Sequence, residues 1–233
     1  MKKEIELKYR LASKLDLELF MHFVKPLTVG PITHLRQENS YFDDKNIHLR
    51  KNGISLRLRQ ENSEYFLCAK QSLKGKRTKH NLSIRLEYEA RIDKNIADLI
   101  KDHLLSPLEA FRHLSVTTES DEATKKTLWR HMEKASGPGV YLVGSFVNQR
   151  TMMPVSLNGQ TIVLEFDHSV YPHSMEIFEV EVEFSSEKEV LKHRDALEAL
   201  FARANIKTYR SSSKSSRLFK ILFSGGLLPS REK

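Results

Sequence analysis

Charged residues spaced two apart recur in this sequence, and their types suggest chemistry. Glu4-Ile5-Glu6-Leu7-Lys8 sets two carboxylates and an amine on one side of an extended chain, with Ile5, Leu7 and Tyr9 on the other. Leu56-Arg57-Leu58-Arg59 does the same with two guanidiniums, and Arg85, Glu87 and Glu89 share a face in Leu82–Ile92. Phe178-Glu179-Val180-Glu181-Val182-Glu183-Phe184 sets a row of carboxylates against apolar residues. Any one of these segments reads as a half-buried strand with a solvated polar side. Their recurrence changes the reading, because adjacent like charges repel unless cations or water disperse them. Carboxylates from some strands gathered opposite Arg and Lys from others suit a metal–phosphate complex. Carboxylates hold Mg²⁺ or Mn²⁺, and guanidinium and ammonium groups hold phosphate oxygens.

Turn chemistry indicates how these faces meet. A two-residue turn at Asn62-Ser63 pairs Arg57 with Cys68 and Ser55 with Lys70, which brings Lys70 to the side of Arg57 and Arg59. Asn158-Gly159 is a type I′ hairpin signal that sets Arg150 opposite Asp167, with Glu165 on the same face as Asp167. Pro154 stands inside that ladder, where a bulge could form. Period-two alternation predicts strands at Lys3–Arg10, Gly53–Gln60, Glu64–Gln71, Leu82–Ile92, Phe146–Ser156, Thr161–Asp167 and Ile177–Phe184. Helical spacing predicts a helix from a Ser13 cap to about Val24, then Asp93–Leu104, a short helix opened by Ser106-Pro107, Asp121–Ala135 and Ser186–Ala204. The 72–80 loop and Ser211–Ser216 read as the least structured segments. Many strands with few helices and local connections indicate an antiparallel α+β fold, a closed barrel with its charged faces inward. Such a barrel encloses a tunnel and turns its apolar faces outward, to be covered by the amphipathic helices.

Composition sets the outer bounds. With 233 residues, 39% hydrophobic and 29% charged, the chain can bury a sizeable core and is neither fibrous nor broadly disordered. No apolar run approaches the roughly 18–20 residues of a membrane helix. Acidic residues at Glu4 and Glu6 do not fit a signal peptide, so a soluble cytoplasmic protein without a membrane partner is expected. A lone Cys68 excludes an internal disulfide framework and a Cys-rich zinc site. The surplus of 38 Lys and Arg over 30 Asp and Glu, +8, suggests a polyanionic partner. It concentrates late: residues 203–233 carry eight Lys or Arg against Glu232 alone.

In order along the chain, these residues resemble the CYTH superfamily, the triphosphate tunnel metalloenzymes. Glu4-Ile5-Glu6-Leu7-Lys8 matches the family's ExExK signature at the amino terminus. Tyr41-Phe42-Asp43 with Leu56-Arg57-Leu58-Arg59 resembles its "YFDT … LRxR" segment, Lys70 the lysine ending the next strand, and Arg85-Leu86-Glu87-Tyr88-Glu89 its central acidic strand. Arg150, Leu164-Glu165-Phe166-Asp167, Glu179-Val180-Glu181 and Ser213-Lys214 follow in family order. The run from Lys214 to Leu228, and Val143-Gly144-Ser145-Phe146 ahead of Arg150, look most like the plant-type inorganic tripolyphosphatase branch. The likeness spans residues 1–223 as one domain and leaves 224–233 as a tail.

The resemblance implies an eight-stranded antiparallel tunnel and metal-dependent hydrolysis of a triphosphate, with Mg²⁺ or Mn²⁺ as cofactor. It implies that Glu4, Glu6, Asp167, Glu179 and Glu181 handle metal and the attacking water. Lys8, Arg57, Arg59, Lys70, Arg85, Arg150 and Lys214 would clamp phosphates, and Glu87 and Glu89 would be mid-tunnel acids. Glu4, Glu6 and Lys8 are the catalytic candidates. The segment Arg210-Ser211-Ser212-Ser213-Lys214-Ser215-Ser216-Arg217 is richer in Ser and Arg than the family's plug, so Arg210 or Arg217 could share the role given to Lys214.

Inorganic triphosphate is the substrate expected first, thiamine triphosphate second, and cyclisation of ATP third, since no aromatic pair marks a thiazole or adenine pocket. The expected enzyme is a monomer or weak homodimer. A noncatalytic polyphosphate or RNA binder is the competing class. The 70–80 segment, with five Lys or Arg and no acid, is its main support. A full set of acids argues against it, and nucleic acid is not expected as a partner. Trp129 and the Met152-Met153 pair read as packing or rim residues, Cys68 as a small inward side chain, and the histidines show no metal spacing.

Overall fold

The computed structural model describes residue 1 and residues 3–73, 81–137 and 139–223. Eight antiparallel strands close into a barrel: β1 (Lys3–Leu11), β2 (Thr33–Asp43), β3 (Ile54–Glu61), β4 (Glu64–Ser72), β5 (Leu82–Ile92), β6 (Tyr141–Leu157), β7 (Gln160–Tyr171) and β8 (Met175–Phe184). The sheet runs β5-β4-β3-β2-β6-β7-β8-β1, and β1 pairs back onto β5. A two-residue strand, β9 (Tyr209–Arg210), sits beside Tyr9 and Arg10 of β1.

Both hairpin registers follow from their turns. Arg57 faces Cys68 and Ser55 faces Lys70 across β3–β4, while Arg150 faces Asp167 across β6–β7. The β6–β7 ladder passes through Pro154 without a bulge. The Pro154 carbonyl accepts from the Val29 amide, so this residue's backbone groups point away from β7 and the missing N–H interrupts nothing. β2 is a strand that periodicity does not reveal: Gln37 and Asn39 point inward, whereas Arg36, Glu38 and Ser40 lie on its partly exposed side, so both faces are polar.

The apolar faces of most strands point outward and are covered by helices. Against β1, β7 and β8 lie α1 (Lys14–Val24) and the long helix after β8, α6 (Glu187–Arg203), which bury Phe20, Leu197 and Phe201 on Tyr9, Val180 and Phe166. Ser13 and Ser186 cap these two helices by accepting from the amides three residues on. Over β3, β4 and β5 lie α2 (His48–Lys51), α3 (Lys94–Lys101), α4 (Pro107–Arg112) and α5 (Glu119–Ala135), which bury Leu49, Ile100, Phe111 and Leu128. Trp129 packs beside this second core, as its helical position suggests. No helix among the described residues is long and apolar enough to cross a membrane.

Ser211–Ser213 lie outside helix and strand, as expected of the serine-rich stretch, but its remainder, Lys214–Ser216, opens the last helix, α7 (Lys214–Phe223). Ser213 accepts from the Ser216 amide, and the helix buries Leu218 and Phe219. Their partners are Tyr41, Phe146 and Tyr171, which share the strand faces of the inward charged residues. Phe146 stacks on Tyr41 at 6.0 Å and on Tyr171 at 4.5 Å. One end of the barrel is thus filled by an aromatic layer with α7 against it. Residues 74–80 of the basic loop and the 224–233 tail lie outside the described residues.

Candidate active site

Inside the barrel is a cavity of about 310 Å³ lined by seven cations and eight carboxylates. All seven bases expected to clamp phosphate line it: Lys8, Arg57, Arg59, Lys70, Arg85, Arg150 and Lys214. Period-two alternation delivers six of them from β1, β3, β4, β5 and β6, and α7 delivers Lys214. Among the acids, Glu4, Glu6, Glu87, Glu89 and Glu181 line the cavity as expected. Glu61, Glu165 and Glu183 join them.

Each cavity cation is held by carboxylates. Arg85 Nε lies 2.9 Å from Glu4, and its Nη2 meets Glu6. Lys70 bridges Glu4 at 2.5 Å and Glu87 at 3.0 Å. Lys8 Nζ lies 2.8 Å from Glu181 and 3.4 Å from Glu6. Arg59 and Arg57 converge on Glu89 at 2.7 and 3.4 Å. Arg150 reaches Glu165 at 2.5 Å and Glu181 at 2.9 Å, and Lys214 also contacts Glu181. The site is therefore self-neutralised. An anion that takes the cations must leave the carboxylates another positive partner, which is the requirement a divalent metal meets.

Asp167 and Glu179, two of the five acids expected to hold metal, do not line the cavity. Both have no solvent exposure, and cations saturate them. Asp167 accepts from Arg150 Nε at 2.8 Å, Arg150 Nη2 at 2.6 Å, Lys214 Nζ at 2.7 Å and Asn148 at 2.7 Å. Glu179 receives both terminal nitrogens of Arg217 and the Ser211 hydroxyl, with Lys214 at 3.9 Å. Arg217 shares Glu179 with Lys214 but does not itself line the cavity. Arg210 is exposed on β9 and reaches none of these acids.

These contacts set the charge states. Against the cost of burial, Lys214, Lys8 and Arg150 hold Glu181 well below the usual carboxylate range. Arg150 and Lys214 do the same for Asp167, and Lys70 for Glu87. Despite its own burial, Lys70 is raised by Glu4 and Glu87. Glu165 differs: burial outweighs Arg150 and, with Asp167 and Glu181 near, pushes its carboxyl up to about 7. The Cys68 thiol, buried and donating to Glu87 at 3.3 Å, is raised by burial and that carboxylate, which makes it an inert wall residue.

Several lining residues escape a reading by motif. Glu61 stands two residues beyond Arg59 and could be found by extending the alternation. Glu165 and Glu183 are placed on the faces of Asp167 and Glu181 by alternation alone, but the family resemblance gives neither of them a role. Gln37 and Tyr41 come from β2, which offers no periodicity. Gln37 donates to Glu61 at 2.8 Å and accepts from Asn148 at 3.0 Å, so neutral amides link one acid to the next. Of the two methionines, Met152 sits on the cavity rim and Met153 in the outer core. Cys68, Glu87 and Glu89 come within 4.8 Å of one another and form a possible metal-holding group inside the same cavity.

Residues 2–219 match the model of the CYTH domain family. No curated protein matches the chain. Among solved structures, a chain from Hippeastrum described as an adenylyl cyclase candidate with a dominant triphosphatase activity superposes with a TM-score of 0.70 at 24% identity, over 97% of this chain and 98% of that one. A Bacillus halodurans chain described as an adenylate cyclase candidate gives 0.59 at 21% identity, over 94% and 100%. A Pyrococcus horikoshii protein gives 0.54 at 17% identity, over 92% and 99%. These likenesses are likenesses of fold.

Proposed function

The chain belongs to the CYTH family, and from that premise we propose that it is a divalent-metal-dependent hydrolase that removes the terminal phosphoryl group of inorganic triphosphate inside the barrel. The observation that carries this reading is the convergence of seven cations and eight carboxylates in one cavity. Triphosphate is compact and highly charged, and it asks for cations along its length. The dominant triphosphatase activity described for the Hippeastrum chain favours hydrolysis over cyclisation. The Val143–Phe146 and post-Lys214 segments favour the plant-type branch. Residues 1–223 act as one catalytic unit.

Glu4, Glu6 and Glu181 would hold Mg²⁺ or Mn²⁺, with Glu183 and Glu165 as further carboxylates at the same wall. The donor chemistry fits: all are hard oxygen ligands, and Glu4 Oε2 is buried with Arg85 Nε at 2.9 Å as its positive partner, a place a metal would take once phosphate draws Arg85 away. Asp167 and Glu179 would act through the cations they hold, fixing Arg150, Lys214 and Arg217 in place. When bound, the metal would supply charge neutralisation and lower the pKa of a coordinated water.

The protein's own groups would do the rest. Lys8, Arg57, Arg59, Lys70, Arg85, Arg150 and Lys214 align the phosphates and balance charge on their oxygens as the terminal group departs. Glu6, or its neighbour Glu4, would accept the proton of the attacking water. The aromatic layer under α7 would make that end of the cavity dry.

Phosphate release from tripolyphosphate, thiamine triphosphate and ATP, each with Mg²⁺ and with Mn²⁺, tests the reading. Tripolyphosphate should give the highest kcat/KM, and EDTA should abolish the activity. Pyrophosphate with cyclic AMP as the main products from ATP would assign the cavity to cyclisation instead.

A further inference from the structure

A second concavity lies at the α7 end of the barrel, between the amino end of β8, β9 and α7. It measures about 580 Å³. Its wall includes Arg10, Arg210, Arg217 and Lys220, two serines and the apolar Met175, Ile177 and Ile221, and it has no acidic residue. The cavity cations are neutralised one by one. Here Arg10, Arg210 and Lys220 are exposed and make no ion pair among the described residues. Arg10 is not loose: its guanidinium stacks on the Tyr209 ring at 5.4 Å, and Lys207 covers the same ring at 5.4 Å. A uniformly cationic groove with the Ser212 hydroxyl on its wall favours an oxyanion, and uncompensated Arg groups favour a dianionic phosphate. The apolar side chains on the same wall, including Met175 at 46% exposure, favour an ester carrying an apolar group over free phosphate.

The groove is separated from the catalytic cavity by a thin ionic layer. Arg217 lines the groove and holds Glu179, and Glu179 lies 3.9 Å from Lys214, which lines the cavity. We propose that this groove is a second anion site, for a small phosphate ester with an apolar group, and that it communicates with the cavity through Arg217, Glu179 and Lys214. An anion that draws on Arg217 loosens its hold on Glu179, which then competes with Asp167 and Glu181 for Lys214. The coupling must be reciprocal.

Calorimetric titration of the full chain with phenyl phosphate in EDTA, where no hydrolysis is possible, tests the site independently of the proposed activity. The wild-type chain should bind it at least tenfold more tightly than inorganic phosphate. Arg10→Ala/Lys220→Ala should lose at least tenfold of that affinity, while Lys8→Ala should keep it, with unchanged circular dichroism in both. Saturating phenyl phosphate should shift the metal-free affinity for tripolyphosphate at least threefold, and only when Arg10 and Lys220 are intact. Binding lost in Lys8→Ala and kept in Arg10→Ala/Lys220→Ala would overturn the site. Equal affinity for the two phosphates would overturn its ligand class. An unshifted tripolyphosphate affinity would overturn the communication.

Discussion

Arg150 and Asp167 face each other across the β6–β7 hairpin and are joined by two hydrogen bonds of 2.8 and 2.6 Å, with Asp167 wholly excluded from solvent. Asp167 also holds Lys214 at 2.7 Å, so one carboxylate fixes a strand cation and the plug helix together. Removing it strands two buried positive charges. Asp167→Ala should destabilise the protein by about 3–5 kcal/mol, read as a lower urea midpoint at pH 7. A loss under about 1 kcal/mol would mean that water already serves Arg150 and Lys214.

Glu165 gives a pH signature. Its folded pKa of about 7 stands above the ordinary 4.5, so between those values the folded state holds a proton that the unfolded state releases. Stability from this group is complete below about pH 4.5 and is lost as pH rises towards and through 7, by up to about 3 kcal/mol. Glu165→Gln keeps the neutral shape at every pH. Its stability relative to wild type should therefore climb across pH 4.5–7.5 in denaturant titrations without metal. A difference that stays flat across that range would show that Glu165 ionises normally.

The plug helix is held by apolar burial as well as charge. Leu218 has no exposed surface and lies against Tyr41, Phe146 and Tyr171. Leu218→Ala should cost about 2–5 kcal/mol and make α7 the first site of limited proteolysis. Because α7 carries Lys214, KM for tripolyphosphate should rise in the same variant. First cleavage elsewhere, with unchanged KM, would separate the helix from the site.

Much of this arrangement was legible because inward charge and outward hydrophobe alternate at period two. Glu4, Glu6 and Lys8 could be placed from β1 alone, and Lys70 and Arg150 from the turns at Asn62-Ser63 and Asn158-Gly159. β2 was hidden because both its faces are polar: Gln37 and Asn39 satisfy charged groups inside, so no apolar stripe marks it. α7 was hidden because its first turn is polar and Arg217 is buried by pairing with Glu179, a partner 38 residues away. Ser213 as a cap before Leu218 and Phe219 was its signal. Asp167 and Glu179 stand on the expected strands. Whether an inward acid reaches the cavity depends on which cation covers it, and strand alternation does not carry that information.

Arg57 separates binding from turnover. It is 8% exposed, lines the cavity, and is held by Asn39 at 3.1 Å and Glu89 at 3.4 Å. Arg57→Ala should raise KM for tripolyphosphate more than it lowers kcat, in steady-state phosphate release. A kcat loss with KM unchanged would move Arg57 from ground-state clamping to the transition state.

The most direct measurement is kcat for phosphate release from tripolyphosphate by wild type and Glu6→Gln, both at saturating Mn²⁺. Glu6 lines the cavity beside Lys8 and Arg85, and the amide keeps its shape while removing its basicity and charge. The variant should fold normally and turn over ~10²–10³-fold more slowly. Turnover near that of wild type would contradict the assignment of this cavity's carboxylates to metal and water.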